Sequence, residues 1–214
     1  MFCDDADIRR GFDEDEFLPF FQPLVELRTG QLAGFEVLAR WNHAQFGIVA
    51  PDHFIPAVEK IGCINELTRR MLEKAFIAGP MLAGSATLSV NLSPMQLLDV
   101  TLPAKLEAIA AHGGFSLHRL AFELTESALV DDLPKARLVA RDLKQLGCRL
   151  ALDDFGTGYS SLRHLQALPF DELKVDKSFV LTMTTARESR KIVAAVVGLG
   201  QSLGLTTTAE GVET

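Results

Sequence analysis

Short apolar runs alternate with segments of helical period along most of the chain. The apolar runs predict strands over residues 20–27, 32–41, 86–92, 120–124, 150–153, 172–175 and 205–209. Apolar side chains three and four residues apart predict a helical region after Pro51 and helices over residues 67–76, 102–111, 133–146, 160–167 and 187–203. Strands that alternate with helices across short connections predict a parallel sheet covered by helices.

The first two strands differ from the others, because only a short turn with Thr29-Gly30 separates them, and they are predicted to form a hairpin. Gly147 ends the helix before the fifth strand, as glycine often does at a helix C-terminus. Several strands in a row end in polar residues, which favours a barrel over an open sheet. In such a barrel the chemistry gathers at the C-terminal strand ends.

Length and composition describe one domain with a sizeable core. The chain has 214 residues, of which 48% are hydrophobic and 23% charged. No apolar run approaches the length that spans a bilayer, and the N-terminus lacks the features of a signal peptide. Residues 1–16 are acidic and weakly patterned, and we interpret them as a linker or the end of an upstream helix. The domain itself is predicted over residues 17–214.

Charge and cysteine content exclude other classes of protein. The net charge of −7 argues against a surface that coats DNA or RNA, although one small phosphate ligand remains compatible with it. Cys3, Cys63 and Cys148 are odd in number and widely spaced, so they predict neither a disulfide framework nor a zinc site. Cys63 and Cys148 lie in apolar patterns and are predicted core residues. A reducing, cytoplasmic compartment is expected.

The pair Asp153-Asp154 follows an apolar strand and precedes a glycine-containing loop. One interpretation is a turn that caps the next helix, which is common for a single acidic pair. The other is a metal site, because two adjacent buried carboxylates repel each other unless a cation lies between them. The second interpretation gains support from the other strands, since each of them also ends in a polar residue.

These strand-end residues form one chemical set. Carboxylate and amide oxygens are hard ligands without histidine or cysteine, which favours Mg²⁺ or Mn²⁺ over zinc. Lys174 is the one cation, and the pattern leaves open whether it is a salt-bridge partner or holds water or a phosphate oxygen. The set comprises Glu36, Asn91, Glu123, Glu126, Asp153, Asp154, Lys174 and Glu210.

Eight short motifs occur in order along the chain. They are Phe21-Gln22-Pro23, Phe35-Glu36-Val37-Leu38, Arg40-Trp41-Asn42-His43, Val90-Asn91-Leu92-Ser93, Glu123-Leu124-Thr125-Glu126-Ser127, Asp153-Asp154-Phe155-Gly156-Thr157-Gly158-Tyr159, Leu173-Lys174-Val175-Asp176 and Ala209-Glu210-Gly211-Val212-Glu213-Thr214. Together they resemble the motifs of the EAL-domain family, the cyclic di-GMP-specific phosphodiesterases. The resemblance runs from about Phe20 to the last residue, and it implies a (β/α)8 TIM-like barrel with one antiparallel strand.

The resemblance also implies a role for each site residue. Lys174 would contact the attacking water, Glu210 would act as general base or at a second metal, and Glu126 would hold the loop after Asp154. Gln22, Leu38 and Arg40 would contact the substrate. The predicted ligands of Mg²⁺ or Mn²⁺, with two ions per site, are Glu36, Asn91, Glu123, Asp153 and Asp154.

The implied function is metal-dependent hydrolysis of the second messenger cyclic di-GMP to linear pGpG by two-metal activation of water. The alternatives are a catalytically silent cyclic di-GMP receptor and a regulatory dimerisation module of the same fold. A homodimer and an upstream sensory or GGDEF-type domain are the expected partners, while no nucleic acid polymer and no membrane span are expected.

The sequence departs from the family pattern in two places. Val37 replaces alanine in the signature tripeptide, and we expect its side chain to point away from the metal. The chain ends at Thr214, before the eighth strand and closing helix of the family, so the domain is expected to be C-terminally incomplete.

Overall fold

Strands and helices alternate along the chain in the computed structural model, which describes residues 4–78, 86–125, 132–156 and 165–212. The strands are β1 (Phe17–Val25), β2 (Leu32–His43), β3 (Gly47–Val49), β4 (Thr87–Asn91), β5 (Leu120–Thr125), β6 (Arg149–Phe155), β7 (Glu172–Val175) and β8 (Thr206–Ala209). The helices are α1 (Asp5–Asp13), α2 (Ile55–Lys60), α3 (Ile64–Ala78), α4 (Pro94–Leu97), α5 (Leu102–Gly113), α6 (Leu133–Gln145), α7 (Lys177–Thr182) and α8 (Arg187–Leu203).

The strands form one eight-stranded sheet in the order β1-β2-β4-β5-β6-β7-β8, with the short β3 paired to β2. Strand β1 is antiparallel to β2, and the strands from β2 through β8 along this path are parallel. This is the predicted barrel-type α/β fold with one antiparallel strand. In the described part of the chain, the path runs from β1 to β8 without closing on itself.

The first hairpin is confirmed, and its register assigns a face to each residue. Glu36 lies opposite Gln22, and Val37 lies opposite Phe21. Successive side chains of a strand point to opposite faces. Val37 is accordingly buried in the main core while Glu36 faces the other way, as predicted for the residue that replaces alanine.

Two apolar clusters stabilise the domain. The larger one packs the sheet against α3, α5 and α6, with Leu88, Phe122 and Leu152 fully buried at its centre. The smaller one lies beside the N-terminal hairpin and joins Ile8 of α1 to Phe17 and Trp41. The second cluster therefore attaches α1 and α2 to the long strand β2.

Polar contacts also attach α1 to the N-terminal hairpin. His43 Nε2 lies 2.9 Å from Asp7 Oδ2, and Arg10 donates to Glu16 at 2.6 Å. Glu16 in turn accepts a hydrogen bond of 2.8 Å from the indole of Trp41. Residues 5–13 thus form a helix packed on the domain. The proposed boundary at residue 16 remains a prediction, as does an upstream continuation of this helix.

The predicted strands and long helices are present with ends shifted by up to three residues, and β7 and α8 have the predicted bounds. The pattern missed β3, α4 and α7, which are all short, and left open whether residues 1–16, which contain α1, were a linker or the end of a helix. Most of the helix predicted over 160–167 lies outside the described residues. Cys63 and Cys148 are free thiols packed at the two cores, in agreement with their predicted role. Within the described residues, no helix is long and apolar enough to cross a membrane.

Candidate active site

Six neighbouring strands bring their polar ends to one edge of the sheet. Because β2 and β4 to β8 are parallel, their carboxyl ends point the same way, and the polar side chains near the last parallel pairs of these strands converge. We call the five acids at this edge the carboxylate cluster: Glu36 on β2, Glu123 on β5, Asp153 and Asp154 on β6, and Glu210 directly after β8.

Lys174 on β7 lies at the centre of the carboxylate cluster. Its Nζ is 2.5 Å from Glu123 Oε2 and 2.5 Å from Glu210 Oε1. The same atom is 3.3 Å from Asp153 Oδ2 and 3.6 Å from Glu36 Oε2. The side chains of Lys174 and Glu123 are only 1% and 2% exposed. Lys174 is therefore a buried cation shared among four carboxylates.

Asn91 joins the cluster from the end of β4. Its Nδ2 donates a hydrogen bond of 2.9 Å to Glu36 Oε1. This contact uses the amide nitrogen, so it leaves the amide oxygen of Asn91 to act as a neutral ligand. Leu92, the next residue, donates its backbone N–H to the carbonyl of Glu123 at 2.9 Å, which ties the end of β4 to β5.

Asp154 has an unusual backbone conformation. Its φ is 55°, in the left-handed region that few residues other than glycine adopt, although aspartate does so more often than most, and Gly156 follows at 103°. The Asp154 N–H donates to Asp153 Oδ1 at 2.9 Å, which turns the two carboxylates relative to each other. Oxygens of Asp153, Asp154 and Glu210 lie within 4.8 Å of one another, a spacing that one cation can bridge.

The positive charge of Lys174 does not compensate all the carboxylates of the cluster. Burial, together with the neighbouring Glu36 and Asp153, raises the pKa of Glu123 to about 8, although Lys174 opposes this shift. Burial likewise raises the pKa of Glu210 to about 7. Burial and the adjacent Asp153 also raise the pKa of Asp154. The protein alone therefore retains protons in this site near neutral pH.

The pKa of Lys174 is shifted in the opposite direction from that of an ordinary buried lysine. Burial by itself lowers the pKa of an ammonium group. The surrounding carboxylates, first among them Glu123 and Asp153, outweigh burial and raise the pKa of Lys174 well above its usual range. Lys174 is therefore charged at neutral pH.

The donor set fits divalent metal ions. If all five carboxylates lost their protons, they would exceed the one ammonium by four negative charges in a largely buried space. Carboxylate and amide oxygens are the ligands that Mg²⁺, Mn²⁺ and Ca²⁺ prefer, and a bound cation releases the protons that raised pKa values otherwise retain. Glu36, Asn91, Glu123, Asp153, Asp154 and Glu210 would hold such ions.

The three residues predicted to contact substrate lie on the hairpin beside the cluster. Glu36, Leu38 and Arg40 alternate along β2 and share one face. Gln22 on β1 lies opposite Glu36 in the register and shares that face. The structure thus places Gln22, Leu38 and Arg40 along one surface that begins at the cluster, while their contacts with substrate remain predictions.

Asp176 is a nearby acid to which the sequence assigned no role. It is buried, accepts a hydrogen bond of 3.0 Å from the N–H of Ser178, and caps α7. Its carboxyl also adds to the raised pKa of Asp154. The motif Leu173-Lys174-Val175-Asp176 was the available signal, but an aspartate before a helix is typical of a simple cap. Glu126 and residues 157–164 lie outside the described residues.

Comparison with known proteins identifies relatives of the whole chain. The family model for the EAL domain matches residues 5–214. The cyclic di-GMP phosphodiesterase RocR of Pseudomonas aeruginosa is 36% identical over 211 residues, which cover 97% of this chain and 54% of that protein.

Solved structures share the fold. The structure described as PaMucR phosphodiesterase in complex with c-di-GMP superposes with a TM-score of 0.90 at 32% identity, covering 98% of this chain and 86% of that one. The calcium/cy-diGMP complex of Klebsiella pneumoniae BlrP1 superposes with a TM-score of 0.82 at 29% identity, covering 93% and 50%. The chain spans about a quarter to a half of the length of several curated relatives it matches.

Proposed function

Because the chain belongs to the EAL domain family, we propose that it hydrolyses cyclic di-GMP to linear pGpG in a metal-dependent reaction. The observation that carries this proposal is the carboxylate cluster around the buried Lys174, where every metal ligand predicted within the described residues converges. RocR and PaMucR, named as phosphodiesterases, support the same reaction class.

The proposed cofactors are Mg²⁺ or Mn²⁺, two per site. Glu36, Asn91, Glu123 and Asp153 would hold one ion, and Asp153, Asp154 and Glu210 would hold the other. Oxygens of the last three residues lie within 4.8 Å of one another. Two divalent ions would balance the excess of four negative charges in the cluster. When bound, such ions lower the pKa of a coordinated water and neutralise a phosphodiester, which is itself an anion.

The chain's own residues would then perform the proton transfers and hold the substrate. Lys174 would hold the attacking water through its Nζ and oppose the negative charge that develops on the oxygen. Glu210, whose Oε1 lies 2.5 Å from Lys174 Nζ, would either accept the proton of that water or bind the second ion. Gln22, Leu38 and Arg40 would bind the nucleotide, and Glu126 would hold the loop after Asp154. Water adds to one phosphorus, and one P–O ester bond breaks.

Wider partners follow from the family in the same way. We propose a homodimer and an upstream sensory or GGDEF-type domain, in a cytoplasmic protein. The length of the curated relatives supports additional domains, since this chain covers only 26% of one of them. Analytical ultracentrifugation of the full chain tests the dimer directly.

The proposal is tested by turnover of cyclic di-GMP with and without Mg²⁺ or Mn²⁺, in the wild type and in Glu36→Ala. The substitution removes one predicted ligand at the edge of the cluster without opening either apolar core. We expect turnover at limiting metal to fall about 100-fold or more, since direct ligands matter more than the residues that orient them. Glu188→Ala, an exposed glutamate on α8, is the matched control and should retain wild-type activity.

Two outcomes decide between the proposal and its alternatives. Wild-type turnover by Glu36→Ala at limiting metal would contradict the metal site. A wild-type domain that binds cyclic di-GMP without hydrolysing it would instead be a silent receptor, and one that does neither would be a regulatory module.

A further inference from the structure

The surface beside the carboxylate cluster carries an exposed aromatic ring. Phe20 on β1 lies opposite Leu38 in the antiparallel register, so its side chain shares the face of Glu36, Leu38 and Arg40. The side chain is 43% exposed, and Phe20 belongs to neither apolar core among the described residues. Its neighbour Phe21 points the other way and packs on the main core.

Arg40 lies over this ring. The Cζ of its guanidinium is 5.7 Å from the centroid of Phe20, within the range of a cation–π interaction. Its Nη1 also donates a hydrogen bond of 2.9 Å to the carbonyl of Ala39. Arg40 has no ion pair among the described residues, so the ring and one carbonyl are what orient its charge there.

Arg40 lies at a distance from Glu36, the predicted metal ligand on the same strand. Arg40 comes four residues after Glu36 in the same strand, which at about 3.3 Å per residue amounts to roughly 13 Å. A phosphate group carries its charge on several oxygens and is bound well by a planar guanidinium. A flexible arginine would lose conformational freedom on binding such a group, and a prior contact with a ring reduces that loss.

We propose that Phe20 is a positioning residue for substrate binding: its ring holds the guanidinium of Arg40 over the site face, where Arg40 meets a phosphate of the cyclic dinucleotide. This inference rests on the proposed function. Phe20 acts through Arg40 and not on the reacting atoms, so it affects the binding of substrate and leaves the chemical step unchanged.

The experiment is a double-mutant cycle in the full chain with Phe20→Leu, Arg40→Met and both together. KM and kcat for cyclic di-GMP are measured at saturating Mg²⁺. Phe20→Leu should raise KM about 2- to 5-fold, the size of an exposed cation–π interaction, with kcat unchanged. In the Arg40→Met background, the same change at Phe20 should have no further effect.

Two further variants separate positioning from a general structural role. Phe20→Tyr keeps the ring and should retain the wild-type KM. Phe46→Leu, an exposed phenylalanine in the turn before β3, is the matched control and should change neither constant.

The results that would overturn the inference are an undiminished effect of Phe20→Leu in the Arg40→Met background, an unchanged KM in Phe20→Leu, or an equal fall in kcat. These outcomes in an active wild-type domain would leave the proposed function intact. A wild-type domain that neither binds nor hydrolyses cyclic di-GMP would overturn the proposed function and this inference with it.

Discussion

A single lysine supplies the positive charge at the centre of the carboxylate cluster. Lys174 is almost fully buried, and its charge is compensated only by carboxylates that themselves repel one another. A buried ammonium in such a position is retained where it acts on a reacting group or where it holds like charges together. The two roles predict different effects of substitution.

We expect Lys174→Met to lower kcat at saturating metal by about 100-fold or more, with a smaller effect on KM. The reason is that a cation next to the attacking oxygen matters most in the transition state. Steady-state kinetics with cyclic di-GMP checks this, and Lys191→Met, an exposed lysine on α8, serves as control. An unchanged kcat would show that Lys174 is only a salt-bridge residue.

At the scale of single elements, helix α1 is attached to β2 by ionised side chains. Burial alone would raise the pKa of Asp7, but hydrogen bonds from His43 and Arg10 lower it below its ordinary 3.8. Arg10 and Trp41 overcome burial in the same way and lower the pKa of Glu16 below 4.5. A lowered carboxyl pKa stabilises the fold above the ordinary value, and this stabilisation disappears as pH falls through the folded-state pKa.

Acid should therefore release α1 as the pH falls below about 4.5. Trp41 is the only tryptophan of the chain, is fully buried, and donates to Glu16, so its fluorescence reports on this contact. We expect its emission to shift to longer wavelength on acidification, and Arg10→Met to move the midpoint to higher pH. A midpoint that does not respond to Arg10→Met would separate the transition from the α1 contacts.

The close approach of β2 and β4 depends on a glycine. A Cβ at Gly34 would lie 2.6 Å from the backbone carbonyl oxygen of Thr87, which cannot move without disturbing the parallel pairing. Gly34→Ala should lower the free energy of unfolding by about 1–3 kcal/mol, as overpacking does elsewhere. Urea denaturation measures this.

Gly198 on α8 is the matched control, because a Cβ there would meet no atom within 4 Å. Gly198→Ala should be neutral or stabilise the chain by up to about 1 kcal/mol, since alanine favours a helix. Equal stability of the two variants would mean that β2 and β4 can separate without cost.

On the scale of the whole molecule, the excess negative charge at one edge of the sheet opposes folding in the absence of cations. A ligand that binds only the folded state stabilises it by mass action, by about 2.7 kcal/mol at 100 times its Kd. We therefore expect Mg²⁺ or Mn²⁺ to raise the melting temperature of the wild type in scanning calorimetry. Glu36→Ala should show a smaller rise at the same metal concentration, and an equal rise would place the stabilising ion elsewhere.

Much of the fold was predictable because local patterns carry it. The period of apolar residues located the long helices and the parallel strands, and Thr29-Gly30 indicated the hairpin. The short elements were missed for a physical reason. Strand β3 has only three residues and pairs solely with β2 within the described chain, and α4 has only four residues. For α1 the pattern left a linker and a helix end open, because the packing of Ile8 and Phe12 that stabilises it involves distant residues.

The sequence by itself determined the chemistry of the site: oxygen ligands at successive strand ends, one lysine among them, and motifs in the order of the EAL domain family. These are properties of residue type and local period, which the order of residues contains directly. It also indicated that Val37 would turn away from the ligands, because side chains alternate along a strand.

Only the tertiary structure decided which of these groups meet and how. Lys174 and Glu123 are 51 residues apart in the chain, and the parallel register of β5, β6 and β7 is what brings them to 2.5 Å. The raised pKa values of Glu123 and Glu210 follow from this convergence and from burial. The contact of Arg40 with Phe20 follows from the antiparallel register of β1 and β2, and the left-handed backbone of Asp154 was seen only in the structure. Distance and dielectric surroundings arise from packing, and no local pattern specifies them.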